Sequence, residues 1–580
     1  MNPRTPAYLA SDEDIKGFLI CAENAPYLAV DTEATLLELR DGRGWAMGLS
    51  IAFRLPGMGL ISNYFPFRHE TGNLDKNWLG QIKDLLENHK RLIFHNAKFD
   101  LVSLKTLGIV IEGEFYDTML MAHMVNENEP FSGKGLDSLS KYYLNDPGKR
   151  KSELFVGFIR YMGWAKVTPE LMHDYAAYDT DLTLRLYEHL QLEWDVQDLD
   201  QLWQVEQEFI HLLVKMEGRG VRINQSLVEG ELDRGQKRMG EISELLGLNP
   251  ASPKDLHKLL IEELSLPVVK ETPGGKASFD KQAMIEYEAL LAVYDDPRAS
   301  LILEYRGYQK TVSSNYKPYK ELLSPDGRLR PNYKMHGTVT GRLSCEKPNL
   351  QQIPRVSDKP WNGALKQAFI PEPGFTLWEA DYSQLELRLG AAYAAESELI
   401  EVFNSGRDVF SEMARELDMP RHNTKTLTYT LQYGGGAKRL SDVFGVSIEK
   451  AGEIKDEYFE RYPGFRKMAQ TASSKCRRQG FLRLWSNRRR HFSDPQNEAH
   501  KAFNSVVQGG AAEIVKHTML RLSESVDSDD CRMLLQIHDS VVFEIRNGHE
   551  SVLEDIKKIM EAVEPDFGVH FAVDVHKWGE

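Results

Sequence analysis

Short apolar runs alternate with helical patterns over the first third of the chain. The segments "YLAVDTEA" (27–34) and "RLIFHNAKFD" (91–100) each contain a block of apolar residues followed by polar residues. Apolar blocks of this length predict buried strands. Helical periodicity follows, for example over 136–144, so an α/β domain is predicted for residues 1–190.

A long amphipathic stretch comes next. Residues 190–215 have the periodicity of one connecting helix. The pattern from 225 to 320 is mostly helical and is interrupted by "ETPGGKAS" (271–278), whose proline and glycines predict a turn.

Two strand-rich segments enclose a helical region in the last part of the chain. They are "FTLWEADYSQLELRLG" (375–390) and "CRMLLQIHDSVVFEI" (531–545). In the second segment, apolar residues flank "HDS" on both sides, which predicts a hairpin with its tip at 538–540. The region between the two segments, about 395–525, is mainly helical. We assign residues 191–580 to a second domain.

Composition narrows the class of protein. The chain has 580 residues, so several domains are expected. No apolar run approaches the roughly 18 residues of a membrane helix, and the N-terminus lacks the pattern of a signal peptide. The four cysteines are far apart and form no metal-ligand spacing. We therefore expect a protein of a reducing, cytoplasmic compartment with no membrane association.

Charge is unevenly distributed. The net charge of -15 argues against a polyanionic partner, but residues 466–491 contain nine Lys or Arg and no Asp or Glu. Aromatic residues lie in or beside this run, and basic stretches with aromatics suit a nucleic-acid backbone. A solvated basic helix explains the run equally well. Since acidic residues elsewhere could be metal ligands, the negative total does not exclude nucleic acid.

Carboxylates recur at the ends of the predicted N-terminal elements. Asp31 and Glu33, two apart in a strand, should point to one side of the sheet, and Asp100 follows the second strand. Tyr175 and Asp179 are four apart and share a helix face. Such carboxylates could hold two divalent cations, roughly 4 Å apart, that cleave phosphodiesters. Taken singly, Asp31 suits a turn cap and Asp179 a helix cap.

These residues lie in three segments: "DTE" (31–33), "NAKFD" (96–100) and "YAAYD" (175–179). The set resembles the proofreading 3′→5′ exonuclease family. The resemblance implies that Tyr175 positions the attacking water. It implies four metal ligands: Asp31, Glu33, Asp100 and Asp179.

A stripe of cations and rings precedes three glycines in "RHNTKTLTYTLQYGGG" (421–436). Arg421, Lys425, Tyr429 and Tyr433 recur every fourth residue and would share one helix face. Two cations and two rings could hold a phosphate chain beside a flat base. A solvated face with two half-buried tyrosines is the alternative for an isolated stripe.

Two further aspartates stand beside apolar strands. Asp381 follows "FTLW", and Asp539 lies at the predicted hairpin tip. An ionised Asp among apolar strands is costly unless it meets a cation. On adjacent strands the two could bridge two Mg²⁺ ions, which would activate a primer 3′-hydroxyl and help pyrophosphate leave. A turn Asp at each position is the alternative.

Three segments carry a close resemblance: "DYSQLELR" (381–388), "RHNTKTLTYTLQYG" (421–434) and "QIHDS" (536–540). In this order they resemble the polymerase motifs of family A DNA polymerases, which include bacterial DNA polymerase I and many phage replicases. The resemblance covers nearly the whole chain. Four more segments match: "ILEYRG" (302–307), "TGRLSCEKPNLQQIP" (340–354), "FERYPGF" (459–465) and "NSVVQGGAAEIVK" (504–516).

The resemblance implies a fold and an activity. A ribonuclease H-like α/β exonuclease domain would precede an α+β right-hand polymerase domain. Its parts would be the thumb at about 204–333, the palm at about 334–395 and 526–580, and the fingers at about 396–525. The protein would add dNTPs to a primer 3′-hydroxyl by two-metal phosphoryl transfer and proofread with its exonuclease. Each site would bind two Mg²⁺, for which Mn²⁺ substitutes.

The resemblance also implies residue roles. Arg421 and Lys425 would bind phosphates, Lys425 would protonate pyrophosphate, Tyr429 would face the sugar, and Glu386 would exclude a ribose 2′-hydroxyl. The nucleotide-binding set is completed by Tyr433 and Gln384. Metal ligands at the polymerase site would be Asp381, Tyr382 and Asp539. The implied DNA contacts are Arg342, Gln351, Asn504, Gln508, His538, Arg488 and Arg489.

The sequence departs from the bacterial pattern at several positions. Phe410 replaces a usual phosphate-binding histidine and cannot donate that hydrogen bond. His500 replaces an arginine, while Ser540 and Tyr429 match phage replicases. About 30 residues precede Asp31, so no 5′-nuclease domain is expected. The thumb is near the bacterial length, so we expect no processivity-factor insertion of the kind known in some phage relatives.

We therefore expect a monomeric phage-type replicase that binds primer–template DNA and dNTPs, with a helicase and a single-strand binding protein as replisome partners. Three alternative functions remain to be compared with this one. Intact Asp381, Asp539 and Lys425 oppose a nuclease whose C-terminal half only binds DNA. The intact ligand sets at both sites oppose a non-catalytic scaffold, and Glu386 opposes a single-chain RNA polymerase.

Overall fold

The computed structural model describes residues 8–579 apart from 10, 37, 58, 147–158, 160–162, 355–358 and 363. Its two largest sheets have five and four strands, and buried residues of both belong to one continuous hydrophobic core. No helix in this described part is long and apolar enough to cross a membrane.

The N-terminal part contains a mixed five-stranded sheet. Its strands are β1 (Leu28–Ala34), β2 (Ala46–Arg54), β3 (Leu60–Pro66), β4 (Leu92–Phe94) and β5 (Phe115–Asp117). Their spatial order is β3-β2-β1-β4-β5. Strand β2 pairs antiparallel with β1 and β3, whereas β4 runs parallel to β1 and β5. The α/β prediction is confirmed, with strands inside both predicted segments.

Helices surround this sheet. The longest, Pro169–Gln197, packs along β1, β2 and β3 and buries Ala176, Leu184 and Leu190. The helix predicted over 136–144 is confirmed at the same bounds. The described helices here are Asp12–Glu23, Lys76–Asn88, Ala97–Thr106, Thr118–Val125, Leu136–Leu144 and Pro169–Gln197, with a 3₁₀ turn at Trp164–Lys166.

The single helix predicted over 190–215 is wrong. The chain forms two helices, Pro169–Gln197 and Asp200–Arg219. Asp198 ends the first helix with φ 56°, a left-handed conformation that Asp tolerates better than most residues. Across the break, Trp194 Nε1 donates to Asp200 Oδ1 at 2.8 Å. After the break, the helix Asp200–Arg219 packs against the helix Ala502–Ser525 and the strand Cys531–Ile537.

A helical region with a small core of its own follows. The predicted interruption at 271–278 is confirmed, because Glu271 pairs with Ala277 around Gly275, whose φ is 72°. Met284, Tyr287 and Ile302 lie in this core. Its helices are Gln225–Leu246, Pro253–His257, Lys281–Ala292, Arg298–Thr311 and Lys317–Glu321, with π-helical turns at Lys258–Glu263 and Val312–Tyr316.

The second sheet has four antiparallel strands, in the spatial order Cys531–Ile537, Ser540–Arg546, Phe375–Tyr382, Val573–Lys577. Ile537 pairs with Ser540, so His538 and Asp539 form the hairpin turn, and His538 adopts φ 56°. The predicted hairpin is confirmed.

The strand-rich prediction for 375–390 is wrong in its second half. After the strand Phe375–Tyr382, Gln384 adopts φ 53° and a helix runs over Leu385–Ala394. Leu385 and Leu389, one turn apart, are fully buried. Gln384 is the N-cap of this helix, so its left-handed conformation marks the change from strand to helix.

Helices dominate 395–525, as predicted. A ribbon of two strands, Phe481–Arg483 and Arg489–His491, interrupts them. The helices from this region to the C-terminus are Ser397–Asn404, Val409–Glu416, Arg421–Gln432, Ala437–Phe444, Ile448–Arg461, Pro463–Gln479, Pro495–Glu498, Ala502–Ser525 and Val552–Glu561. Short strand pairs elsewhere are Val221–Arg222 with Arg328–Leu329, and Asn332–Lys334 with Ser344–Glu346; 3₁₀ turns lie at Leu350–Gln352, Lys366–Ala368 and Ala499–Lys501.

Candidate functional sites

Three carboxylates converge at the N-terminal sheet. Asp31 and Glu33 are alternate residues of β1 and share one side of it, and the helix Pro169–Gln197 brings Asp179 beside them. One ligand oxygen from each residue lies within 4.8 Å of the other two. Carboxylate oxygens at this spacing fit a divalent cation.

Asp100 is held next to this group. It lies in the first turn of the helix Ala97–Thr106, and its Oδ1 accepts hydrogen bonds from the backbone N–H (3.0 Å) and the hydroxyl (2.7 Å) of Thr32. Burial raises the pKa of Asp100 well above its ordinary value, and the Thr32 bonds oppose that shift. The structure thus brings together three of the four predicted metal ligands. The fourth, Asp100, is hydrogen-bonded to β1, the strand that carries Asp31 and Glu33.

Tyr175 lies one helical turn before Asp179, as the spacing predicted. Its ring centroid is 5.8 Å from that of Trp164. Trp164 was not among the predicted site residues, and nothing in its local sequence pattern marked it.

Asp381 lies on a strand of the second sheet, and Asp539 lies in the hairpin turn before the neighbouring strand. Asp381 pairs with Ser540, the residue after Asp539, and the Tyr382 N–H donates to the Asp539 carbonyl at 3.3 Å. Burial raises the pKa of Asp539 above its ordinary value. Arg342, whose Nη2 lies 3.5 Å from Asp539 Oδ1, opposes this rise without cancelling it. The structure brings the two aspartates next to each other, but only Asp381 lies on a strand, whereas Asp539 lies in the turn.

The Tyr382 side chain points into the core. Its hydroxyl donates to the Met560 carbonyl at 2.7 Å and lies 2.9 Å from the Thr518 hydroxyl. A metal-ligand role of this residue would therefore fall to its main-chain carbonyl.

Glu386 connects the second sheet to the cationic helix. Its side chain is buried in the first turn of Leu385–Ala394 and forms an ion pair with Arg342. Its other oxygen accepts a hydrogen bond from the Tyr433 hydroxyl at 2.9 Å. Burial raises the pKa of Glu386, and Arg342 opposes the shift. Since Arg342 also faces Asp539, these groups belong to one site.

The stripe of cations and rings lies on the helix Arg421–Gln432, with Tyr433 as its C-cap. Phe410, which is 2% exposed, packs beneath it. The Phe410 ring centroid lies 5.8 Å from the Arg421 guanidinium carbon, 5.7 Å from Lys425 Nζ and 5.9 Å from the Tyr429 ring. The shared face is confirmed, and the aromatic replacement of the usual histidine supports it from inside.

Several predicted DNA contacts border one pocket beside Asp539. Arg342, Gln351 and His538 line it. Gln351 Nε2 donates to Gln536 Oε1 at 2.6 Å. Two more of the predicted contacts, Asn504 and Gln508, stand one turn apart on the helix Ala502–Ser525. Gln384 lies at the left-handed turn after the strand of Asp381.

Arg488 and Arg489 differ sharply in surroundings. Arg488 is 6% exposed, and its guanidinium binds Glu206 and, at 2.6 Å, Glu513. Arg489 is half-buried, with its guanidinium 4.7 Å from the centroid of the Phe481 ring. The structure therefore makes Arg488 an internal group, in contrast to its predicted place on a DNA-binding surface.

Sequence reasoning missed three further residues near these sites. Gln536 links Gln351 to the hairpin, and Lys516 lines the pocket while binding Glu206. Both lie inside motifs quoted above, which was the available signal. The third, Asp408, pairs with Arg421 and was marked only by its position two residues before Phe410.

Comparison with known families agrees with this architecture. A model described as 3'-5' exonuclease matches residues 8–195, and one described as DNA polymerase family A matches residues 222–580. The fold and the two acidic sites thus define an exonuclease domain followed by a right-hand polymerase domain. The chain belongs to DNA polymerase family A.

Its relatives include bacterial enzymes. DNA polymerase I of Pseudomonas aeruginosa is 29% identical over 572 residues, which cover 93% of this chain and 61% of the relative. The thermostable DNA polymerase I of Thermus aquaticus is 34% identical over 393 residues, 63% of this chain and 46% of the relative. The chain thus spans about three fifths of the Pseudomonas protein's length.

A solved structure shares the fold. The POL domain of Pol1 from M. smegmatis, in complex with DNA primer-template and dNTP, superimposes with a TM-score of 0.84 and 24% identity, covering 99% of each chain.

Proposed function

We propose that the chain is a DNA-directed DNA polymerase that adds dNTPs to a primer 3′-hydroxyl and proofreads with a 3′→5′ exonuclease. The observation that carries this proposal is the link made by Arg342, Glu386 and Tyr433 between the strands of the paired aspartates and the cationic helix. Metal-binding and phosphate-binding groups therefore belong to one site. Membership in DNA polymerase family A supports the same activity.

The acidic residues fit divalent metal ions, because their carboxylate oxygens are hard ligands. We propose Mg²⁺, with Mn²⁺ as a substitute. Two such ions would stabilise the charge on the attacking and leaving oxygens. The residues that would hold them are Asp381, Asp539 and the Tyr382 carbonyl at the polymerase site, and Asp31, Glu33, Asp100 and Asp179 in the exonuclease domain.

The cationic helix would bind the nucleotide. Arg421 offers a planar fork and Lys425 a mobile point charge for the β- and γ-phosphates, and Lys425 could give a proton to departing pyrophosphate. Tyr429 would face the sugar. Tyr433, oriented by its bond to Glu386, would lie near the template base.

Glu386 would select the sugar. Its buried carboxylate is held by Arg342 and Tyr433, so it cannot easily swing away from a ribose 2′-hydroxyl. Gln384, at the turn before this helix, completes the proposed nucleotide-binding set. In the exonuclease domain, Tyr175 would orient the water that attacks the terminal phosphodiester.

Duplex DNA would contact the pocket beside Asp539. Arg342, Gln351, Asn504, Gln508 and His538 would reach minor-groove acceptors that all correct base pairs share, which checks geometry without reading sequence. Arg489 would bind a backbone phosphate, and Arg488 would support the same ribbon from inside.

The broader assignments are also proposals. Residues 1–190 would form the exonuclease domain and 191–580 the polymerase domain, with the thumb, palm and fingers bounds given above. We propose a monomer of the bacterial cytoplasm that works in phage DNA replication with replisome partners. Tyr429 and Ser540 support the phage role, although the relatives named above are bacterial.

Primer extension tests the function. A 5′-labelled primer on a longer template should lengthen with Mg²⁺ and all four dNTPs, shorten without dNTPs, and gain little with NTPs. Asp381→Asn, which keeps the side-chain shape, should abolish lengthening and leave shortening intact. Shortening without any lengthening by the unmodified chain would instead identify a nuclease with an inactive C-terminal half.

A further inference from the structure

Arg421, the first cation of the stripe, has an anionic partner. Its Nε donates to Asp408 Oδ2 at 2.7 Å and its Nη2 to Oδ1 at 3.2 Å. This is a two-point pairing of a guanidinium edge with a carboxylate, the geometry in which arginine also holds a phosphate. Asp408 therefore uses the donors that a phosphate group would need.

The Asp408 carboxylate is fixed in this position. It caps the helix Val409–Glu416 by accepting from the Phe410 N–H at 3.1 Å, and the Ser411 hydroxyl donates to it at 2.7 Å. The Arg421 bond is the main cause that lowers the pKa of Asp408 to about 2. The partner of Arg421 is thus an ionised carboxylate that two further hydrogen bonds hold in place.

Lys425, one turn further along, differs from Arg421. Among the residues that the structure describes it has no ion pair, and its ammonium lies 5.7 Å from the centroid of the Phe410 ring. An incoming triphosphate would meet one available cation and one that already has a carboxylate bound.

We propose that Asp408 is an internal anion that competes with the triphosphate of the incoming dNTP for Arg421. The inference deepens the proposed function and rests on it. A guanidinium has five N–H donors, but the edge facing Asp408 is taken, and phosphates brought to the other edge would lie near a second negative charge. Asp408 would therefore weaken triphosphate binding without touching the reacting atoms, which makes it an affinity-setting residue.

Asp408→Asn tests the proposal, because asparagine caps helices as well as aspartate and keeps the shape of the side chain. Single-turnover insertion, with a phosphorothioate-terminated primer to limit degradation, should give a dNTP Kd about 1.5- to 5-fold lower, the range for an exposed ion pair. The maximal insertion rate should stay unchanged. This split between affinity and rate would not result from a general structural defect.

Asp280→Asn is a matched control. Asp280 also caps a helix, Lys281–Ala292, and pairs with Lys270 at 2.6 Å in a different region. This variant should leave the dNTP Kd unchanged.

Inorganic tripolyphosphate separates this inference from the proposed function. Calorimetric titration of the full chain should show tighter tripolyphosphate binding by Asp408→Asn than by the unmodified chain, even if no primer is extended. Equal or weaker binding of both tripolyphosphate and dNTP would overturn the role of Asp408. An absence of extension by the unmodified chain would overturn the function alone.

Discussion

Replacing the adjacent arginines Arg488 and Arg489 separately with methionine should produce two different defects, one in stability and one in DNA binding. Arg488 is buried between Glu206 and Glu513, whereas Arg489 is half-buried on the ribbon. Methionine keeps much of the apolar stem and removes only the charge and the donors. Arg488→Met should unfold more easily, and Arg489→Met should bind DNA less tightly.

The expected loss of stability follows from the partners left behind. Removing one member of a buried ion pair costs about 3–5 kcal/mol, because an uncompensated charge remains. Lys516 stays 2.7 Å from Glu206 and 4.0 Å from Glu513, so part of the compensation survives. We therefore expect a loss near the lower end, about 3 kcal/mol, for Arg488→Met. For Arg489→Met we expect a loss below about 0.5 kcal/mol.

The defect should also depend on pH. Burial would raise the pKa of Glu513, but Arg488 and Lys516 lower it below its ordinary value. In the unmodified protein the lowered pKa of Glu513 stabilises the folded state at pH values above about 4.3, the pKa of Glu in the unfolded chain. This stabilisation is lost as the pH falls through the pKa of Glu513 in the folded protein. Without Arg488 the folded pKa rises, so protonation relieves the buried charge. The difference between variant and unmodified protein should be smaller at pH 5 than at pH 7.5.

Two measurements test the predicted defects in stability and in DNA binding. Urea unfolding, followed by intrinsic fluorescence and circular dichroism, reports stability, and fluorescence anisotropy with labelled primer–template over a range of salt reports DNA binding. Arg489→Met should reduce the slope of log K against log salt by about 0.9, one phosphate contact. If Arg488→Met keeps normal stability and loses the same salt dependence, Arg488 binds phosphate and its internal role is wrong.

Three further predictions concern the two sites. Asp539→Ala should reduce primer extension at least about 100-fold while single-stranded DNA is still degraded. Asp31→Ala combined with Glu33→Ala should abolish degradation and leave extension intact. Loss of both activities in either folded variant would contradict two separate sites. Glu386→Ala should raise NTP use relative to dNTP by about 10- to 200-fold in single-turnover kinetics, and an unchanged ratio would remove its gating role. The hydroxyl of Tyr429 should make the hydrogen bond that the 3′-hydroxyl of a dNTP makes, so the protein should accept ddNTPs nearly as well as dNTPs. Tyr429→Phe should restore discrimination against ddNTPs by about 10- to 150-fold in kcat/KM. Strong rejection of ddNTPs by the unmodified enzyme would refute this account.

Local patterns were sufficient for elements whose burial is continuous or strictly periodic. The apolar block before Asp31 predicted β1, and the apolar residues flanking "HDS" predicted the hairpin that carries Asp539. Periodicity failed where one residue changes the backbone. The left-handed conformation at Asp198 separates two helices, and the one at Gln384 begins a helix shortly after a strand.

The sequence alone determined the identity and spacing of the site residues: the carboxylates at 31, 33, 100 and 179, and the stripe that begins at Arg421. Within the pair at 31 and 33 and within the stripe, the residues are close together in the chain, where strand and helix periods set the geometry. The convergence of Asp179 on the pair is a product of the tertiary structure. Only the tertiary structure decided which charges neutralise one another. Glu206 meets Arg488 across 282 positions, and Asp408 meets Arg421 across the helix Val409–Glu416 and the turn that follows it. Whether an arginine binds DNA or a buried carboxylate depends on packing between distant segments, and no local pattern encodes that packing.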